Sequence, residues 1–265
     1  MTKADRPGHS AFDVVALDAD DTLWHSEDTF VDVENRFVEL MTPHVPEGVD
    51  LREALRATEI ANLSVSGYGV KAFVLSMIEC AITSSGAKVP ATVISELLGF
   101  AHQMLTEQVR LLDGVPDAVE AVATDHRLIL ITKGDLIHQQ RKITASGLAH
   151  HFHHVEIVNE KDAETYQRIL DTIGVPPERF CMVGNSIRSD VLPVLAIGGH
   201  AVHIPYHVTW EHENVDHDGE VVELASISML PDYLATAESL SPRPPERGRS
   251  ADHHSTSAWL PTPKA

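Results

Sequence analysis

The chain has 265 residues, enough for one domain with a sizeable insertion or for two domains. Its content of 43% hydrophobic and 22% charged residues is that of a soluble globular protein and excludes wholesale disorder or a collagen-like chain. Thirty-nine acidic residues against twenty basic ones leave a formal charge of −19, which opposes attraction to phosphate backbones, so no nucleic-acid partner is expected.

The segment FDVVALD, residues 12–18, is a short apolar run ending in acid, as expected of a strand buried on both faces. From Glu27 to about Arg110 the spacing is helical, with Phe30, Val33, Phe37, Val38 and Met41 forming one stripe. Pro43, Pro46 and Gly48 break it. Further helices are predicted over 51–63, 70–84 and 92–111, with Gly86 and Pro90 between the last two, and no strand in this block. After Gly114 helices and strands alternate: helix 116–124, strand 127–132, helix 137–146, strand 155–158, helix 163–173, strand 179–184, helix 189–196 and strand 200–204. Apolar strands separated by helices predict an α/β fold, a Rossmann-like parallel sheet covered on both faces. The helical block becomes an insertion after the first strand, an all-helical cap over 24–111 on a core of 1–23 and 112–240, with a cleft between them. Residues 241–265, rich in Pro, Ser and charge, are expected to be a disordered tail.

Cys80 and Cys181, the two cysteines, lie far apart without metal-type spacing, so no structural disulfide is expected. The opening MTKADRPGHSAF lacks the apolar stretch of a signal peptide, and no run of about 18 apolar residues could span a bilayer. A cytoplasmic protein with no membrane partner is expected. The run His150, His151, His153, His154 lacks the Cys or carboxylate partners of closed zinc sites and is not read as a metal site.

In open parallel sheets ligands gather outside the carboxyl ends of the strands. There the chain sets Asp18, Asp20, Asp21 and Thr22, then Thr132, Lys133, Gly134 and Asp135, then Lys161, then Gly184, Asn185, Ser186 and Asp190. Converging carboxylates repel by about 4 kcal/mol per pair at about 4 Å and an effective dielectric near 20, so a bound cation is the natural compensation. Mg²⁺, which takes a few carboxylate oxygens together with water and substrate phosphate, fits best. Together with Thr132 and Lys161 the set describes a phosphoryl site, in which metal and lysine neutralise oxygens, the hydroxyl and nearby N–H groups position them, and one carboxylate attacks phosphorus.

Four motifs carry a family resemblance. DADDTLW at 18–24 resembles the first motif of the haloacid dehalogenase superfamily, ITKGD at 131–135 the second, EKDAETY at 160–166 the third and GNSIRSD at 184–190 the fourth, in the same order and over about residues 12–235. The insertion resembles that family's helical type of cap. The resemblance implies Asp18 as a nucleophile that forms an aspartyl-phosphate and binds Mg²⁺. It implies Asp20 as general acid and base, with its backbone carbonyl on the metal. Thr132 and Lys161 would hold phosphoryl oxygens, with Lys133 and Gly134 beside them, and Asn185 and Asp190 would complete the metal site.

Two departures matter. Asn185 stands where relatives commonly carry Asp, which leaves open whether Asn185 or Asp190 is the direct ligand. Lys133 replaces a common Asn and reads as peripheral. Asp20 argues against halide displacement, since dehalogenases of the superfamily lack an acid two residues after the nucleophile. Phosphonate cleavage generally uses a cap lysine and a different first motif, and only Lys71 supports it. A phosphomutase also uses the second Asp, and a catalytically silent binding protein of the same fold is a further alternative. A signalling receiver domain fails on length and on the position of its Asp. The expected activity is hydrolysis of a small phosphorylated metabolite by a monomer or homodimer. Tyr68 and Lys71, flanked by Gly67 and Gly69, are the expected specificity contacts of the cap.

Overall fold

The computed structural model describes residues 11–208, 210, 213, 215 and 221–240. The tail expected beyond residue 240 lies outside them. Six strands form one sheet: β1 (Val14–Leu17), β2 (Arg127–Lys133), β3 (His154–Val158), β4 (Phe180–Gly184), β5 (His200–His203) and β6 (Val222–Glu223). Their order is β3-β2-β1-β4-β5-β6, and every pairing is parallel. The chain runs outward from β1 on one side, then crosses to β4 and runs outward on the other. The mouth of the sheet beside β1 and β4 is therefore its switch point, where open parallel sheets take ligands.

The uninterrupted apolar runs follow from burial on both faces, because successive side chains of a strand point to opposite sides. Val15 and Leu17 of β1, Leu128 and Leu130 of β2, and Cys181 and Val183 of β4 join one cluster. Val14 and Ala16, Ile129 and Ile131, and Phe180 and Met182 join the cluster on the other face. The first face is covered by α5 (Val115–Asp125), α6 (Leu136–Ala145) and α9 (Leu230–Leu240), the second by α7 (Ala163–Ile173) and α8 (Leu192–Ala196). Truncating the fully buried Phe180 to Ala would cost about 3–5 kcal/mol.

Between β1 and α5 lie four helices, α1 (Glu27–Met41), α2 (Leu51–Ser66), α3 (Val70–Ser84) and α4 (Ala91–Thr106). They have a core of their own, in which Val33, Phe37 and Met41 of the stripe pack with Leu55, Met77 and Leu97 while Phe30 and Val38 sit partly buried at its margin. The fourth helix stops five residues short of the predicted Leu111. Glu107 turns to extended geometry, and residues 110–112 run beside 23–25 instead: His25 N–H donates to Arg110 O at 3.0 Å and Leu112 N–H to Leu23 O at 3.0 Å. The two connections to the helical layer thus pair with each other.

Three further differences from expectation stand out. The helix predicted from Ser189 opens earlier, with a wide π turn over Ile187–Val191 before α8, and Ser186 caps that turn by accepting from Ser189 N–H. β6 is two exposed residues, too short to show a period. α9 lies beyond the predicted series. Cys80 and Cys181 are buried and free. Among the described residues no helix is long and apolar enough to cross a membrane.

Candidate active site

Asp18 follows β1 directly and continues its pairing, its N–H donating to Val183 O at 2.9 Å. Asp21 then adopts positive φ (63°), and its carboxylate accepts from the N–H groups of Ser26 (2.8 Å) and Glu27 (3.0 Å) at the start of α1. The negative end group suits a helix N-terminus, and here it fastens the loop to the helical layer. Burial pushes the Asp21 carboxyl up to about 7 against those bonds.

Lys161 enters from the loop after β3 and is 3% exposed. Its ammonium donates to Asp18 Oδ1 and, at 2.7 Å, to Asp190 Oδ1. Asp190 Oδ2 accepts from Ser186 N–H at 3.0 Å. Asp190 packs so tightly over Gly184 that a Cβ there would lie 2.2 Å from its Oδ2, so only glycine fits. Burial tends to strip the charge from Lys161, but the two carboxylates and their hydrogen bonds hold its pKa above the usual lysine value. Burial, with the charge of Asp190, pushes Asp18 up to about 7 despite Lys161. Two carboxylates against one ammonium leave one negative charge buried, which a cation would balance.

The second oxygen of Asp18 accepts from Thr22 Oγ1 at 3.1 Å and faces Asn185. With its amide nitrogen turned inward, Asn185 donates to Asp18 Oδ2 and to Asp20 O, both at 3.2 Å. With its oxygen turned inward, Asn185 Oδ1 meets Asp18 Oδ2 and the Asp20 carbonyl, and the Thr22 hydroxyl, 3.1 Å from Asp18 Oδ2 and 3.3 Å from Asn185 Oδ1, is the donor beside them; three oxygens around so little donor capacity form the donor set of a hard cation. Among the described residues no group of three or more His, Cys, Asp and Glu side chains is placed to hold a metal ion. The oxygens here come from one carboxylate, one backbone carbonyl and one amide, a combination that suits Mg²⁺. Asp190, with both oxygens engaged by Lys161 and Ser186, lies in the Lys161 arm of the cluster.

Asp20 is held from α6, the helix that follows β2. Asp135 caps this helix, accepting from His138 N–H at 3.0 Å, and the face that continues from it carries Gln139 and Lys142. Lys142 Nζ lies 2.5 Å from Asp20 Oδ1, which also accepts from Trp24 Nε1 at 2.5 Å, and Gln139 Nε2 donates to Asp20 Oδ2 at 3.0 Å. Burial alone would raise the Asp20 pKa. The Lys142 charge and the bonds from Lys142, Trp24 and Gln139 outweigh it and hold the carboxyl below the usual range. Gln139 Nε2 also donates to Thr132 Oγ1 at 2.9 Å, so one amide ties Asp20 to the hydroxyl at the end of β2. The spacing of 135, 139 and 142 on one helical face was the signal for Gln139 and Lys142, two site residues that the motifs omit.

Gly134, at φ 128°, makes the turn from β2 into α6. Lys133, read as peripheral, lines the site and is held by ion pairs and hydrogen bonds. Its ammonium meets Glu213 at 2.5 Å and Ser189 Oγ at 2.8 Å and lies 4.3 Å from the centre of the Tyr68 ring. Glu213, from the loop after β5, also accepts from Ser186 Oγ at 2.5 Å and Ser189 Oγ at 2.6 Å. Burial opposes its ionisation, but Lys133 and these hydroxyls hold its pKa down to about 2. Nothing in the local sequence marked Glu213. Tyr68 donates to Glu160 at 2.6 Å, and Lys71 meets both oxygens of Asp135 at 2.9 Å. The specificity contacts expected of the helical layer therefore pair with the core, because the core sets Glu160 and Asp135 opposite them.

Asp18, Asp20, Thr132, Lys133, Gly134, Lys161, Asn185, Asp190 and Tyr68 line one cavity of about 220 Å³ between sheet and helical layer, and Lys71 stands outside its wall. The histidine run does not reach it: His150 and His151 stack at 3.9 Å in a short turn, and His154 meets Glu156 at 2.6 Å.

The family model for haloacid dehalogenase-like hydrolases matches residues 12–198. A haloacid dehalogenase-like family hydrolase from Xanthomonas campestris is similar in structure, with 39% identity and a TM-score of 0.79 over 89% of this chain and 95% of that one. Two curated proteins are similar over shorter stretches. A glyceraldehyde 3-phosphate phosphatase of Methanothermobacter thermautotrophicus is 28% identical over 123 residues, 44% of this chain and 54% of that protein. A phosphoserine phosphatase of Thermus thermophilus is 30% identical over 105 residues, 38% of this chain and 42% of that protein. The chain thus spans about half the length of the curated relatives it matches. Its match across the sheet, the helical layer and all four motifs makes the chain a member of the haloacid dehalogenase-like hydrolase family.

Proposed function

We propose that the chain is a Mg²⁺-dependent phosphomonoester hydrolase of a small cytoplasmic metabolite, working through an aspartyl-phosphate on Asp18 beneath a helical cap formed by residues 24–111. The observation that carries this reading is Lys161, buried between Asp18 and Asp190 beside the Asn185 oxygen cluster. A lysine and a hard-cation donor set flanking one carboxylate are the arrangement that phosphoryl transfer requires.

The Lys161 ammonium and the Thr132 hydroxyl hold phosphoryl oxygens at the end of the sheet. An Asp18 oxygen attacks phosphorus, the ester P–O bond breaks, and Asp20 gives its proton to the leaving alcohol oxygen. Water then attacks phosphorus, Asp20 takes a proton from it, and the bond between phosphorus and the Asp18 oxygen breaks to release inorganic phosphate. Asp18 Oδ2, the Asp20 carbonyl and Asn185 would hold Mg²⁺, which supplies positive charge to the transferring group. The Lys142 contact favours ionised Asp20, the form that draws a proton from water; to serve the leaving alcohol in the first step, Asp20 takes up a proton from solvent against that contact. Asp20 with its three donors has no part in halide displacement, which is why hydrolysis of a phosphate ester is preferred to dehalogenation.

The test is phosphate release from a panel of small phosphomonoesters, with and without Mg²⁺, for the natural chain and Asp18→Asn. Release that needs both Mg²⁺ and Asp18 is expected. Equal release by Asp18→Asn would overturn the reading.

A further inference from the structure

The two ends of the cavity differ in chemistry. At the sheet end each lysine that lines it already meets a carboxylate: Lys161 meets Asp18 and Asp190, Lys142 meets Asp20, and Lys133 meets Glu213. At the other end the helical layer contributes Glu27, Glu34 and Glu59 with Phe30 and Phe73, and no Lys, Arg or His among the described lining residues. Arg52 answers Glu34 at 2.7 Å. The carboxylates of Glu27 and Glu59 receive no hydrogen bond and no ion pair from the described residues. Burial and neighbouring carboxylates, Asp21 and Glu59 for Glu27 and Glu34 for Glu59, push both up to about 8.

An independent observation points the same way. Gln139 lines the same cavity, is 2% exposed, and spends its Nε2 on Asp20, Thr132 and the Lys133 carbonyl, while its buried Oε1 has no partner. A buried carbonyl oxygen without a donor costs free energy until something donates to it. Unpartnered around this cavity are thus the Gln139 amide oxygen and two carboxyl groups, which keep a proton to about pH 8 for want of a cation and become acceptors once a cation beside them draws it off. A ligand that fits them brings N–H donors and positive charge. An ammonium group has three donors and no acceptor, and it is compatible with the aromatic surface of Phe30 and Phe73, whose rings pack at 5.1 Å.

We propose that the preferred substrates are small phosphomonoesters whose alcohol carries an ammonium group, the phosphate at Asp18 and the ammonium toward Glu27 and Glu59. This rests on the phosphatase reading. An ester bearing a carboxylate or a second phosphate would set like charge against these residues once they ionise, and a cavity of about 220 Å³ suits a small alcohol.

The test compares O-phosphoethanolamine, propyl phosphate and 2-phosphoglycolate, which are similar in size and carry a positive, no and a negative charge on the alcohol. In the presence of Mg²⁺, kcat/KM is expected to fall in that order by about tenfold per step. Glu59→Gln and, separately, Glu27→Gln are expected to lower the ratio of ammonium to neutral ester about tenfold, chiefly through KM. Calorimetry with the Asp18→Asn chain and Mg²⁺ reads the same order as binding, whether or not the natural chain turns over. Equal or stronger binding of 2-phosphoglycolate, or a ratio unmoved by both variants, would overturn the proposal. If no ester yields phosphate while the binding order holds, the phosphatase reading fails and the ammonium preference stands.

Discussion

At the sheet end of the cavity, Lys161 serves two carboxylates, Lys142 a third and Lys133 a fourth, and almost every polar atom has a partner within the chain. At the helical end, Glu27 and Glu59 line the same space with none among the described residues. The sheet end meets the cost of burying charge with charges of its own, so its groups are fixed in place before any ligand arrives, which is what a reaction centre needs. The helical end leaves that cost standing, so its groups await a partner from outside. On the proposed reading, one end does chemistry on a constant part of the substrate, and the other selects its variable part.

Substitutions at the two ends are therefore expected to differ in kind. The largest effect is Asp18→Asn, expected to lower the rate of phosphate release about a thousandfold or more, whereas Glu59→Gln changes which ester is preferred. Parallel steady-state assays of the two variants measure this contrast. Next is Lys161→Met, which leaves two buried carboxylates without their cation and is expected to cost about 3–5 kcal/mol in urea unfolding.

The helical end reverses that sign. Glu27 and Glu59 have pKa values of about 8 in the fold, raised above the unfolded carboxylate value of 4.5. The folded state then binds more protons than the unfolded one between those limits. Their contribution is fully present below pH 4.5 and is lost as pH rises toward 8. Melting temperature measured from pH 5 to 8 is expected to show a shallower decline for Glu59→Gln than for the natural chain. Glu213 at the sheet end has the opposite linkage. Its pKa is lowered to about 2, so its contribution is present above pH 4.5 and lost as pH falls toward 2, a trend that Glu213→Gln removes. The smallest effect is Lys71→Met. Its pair with Asp135 is partly exposed, worth at most about 1 kcal/mol, and its loss is expected to change KM by only a few-fold and less so in high salt.

Much of this was legible in the sequence, and the rest was hidden for physical reasons. β1, β2 and β4 showed because each is buried on both faces and so reads as an apolar run, β3 and β5 showed as shorter apolar stretches between helices, and the helical stripe from Phe30 to Met41 showed because α1 presents one face to a core. The motifs brought Asp18, Lys161, Asn185 and Asp190 to the right loops because strand ends of a parallel sheet share one side. The partners of those residues were less visible. Gln139 and Lys142 act through helical spacing from Asp135, a pattern that many surface helices also carry. Glu213 reaches the site from the far side of β5, and no local pattern records so long a contact. Lys71 read as a substrate contact because the sequence shows its charge and its neighbouring glycines but not Asp135 opposite it.

The central claim is that Asp18 itself takes the phosphoryl group. Its direct test is mass spectrometry of the peptide containing Asp18 after brief exposure to a phosphomonoester with Mg²⁺ and acid quenching. The expected result is the added mass of one phosphoryl group on Asp18, absent when the ester is withheld and absent from Asp18→Asn. Phosphate release with Asp18 unmodified at every quench time, or a phosphoryl group on another residue, would contradict it.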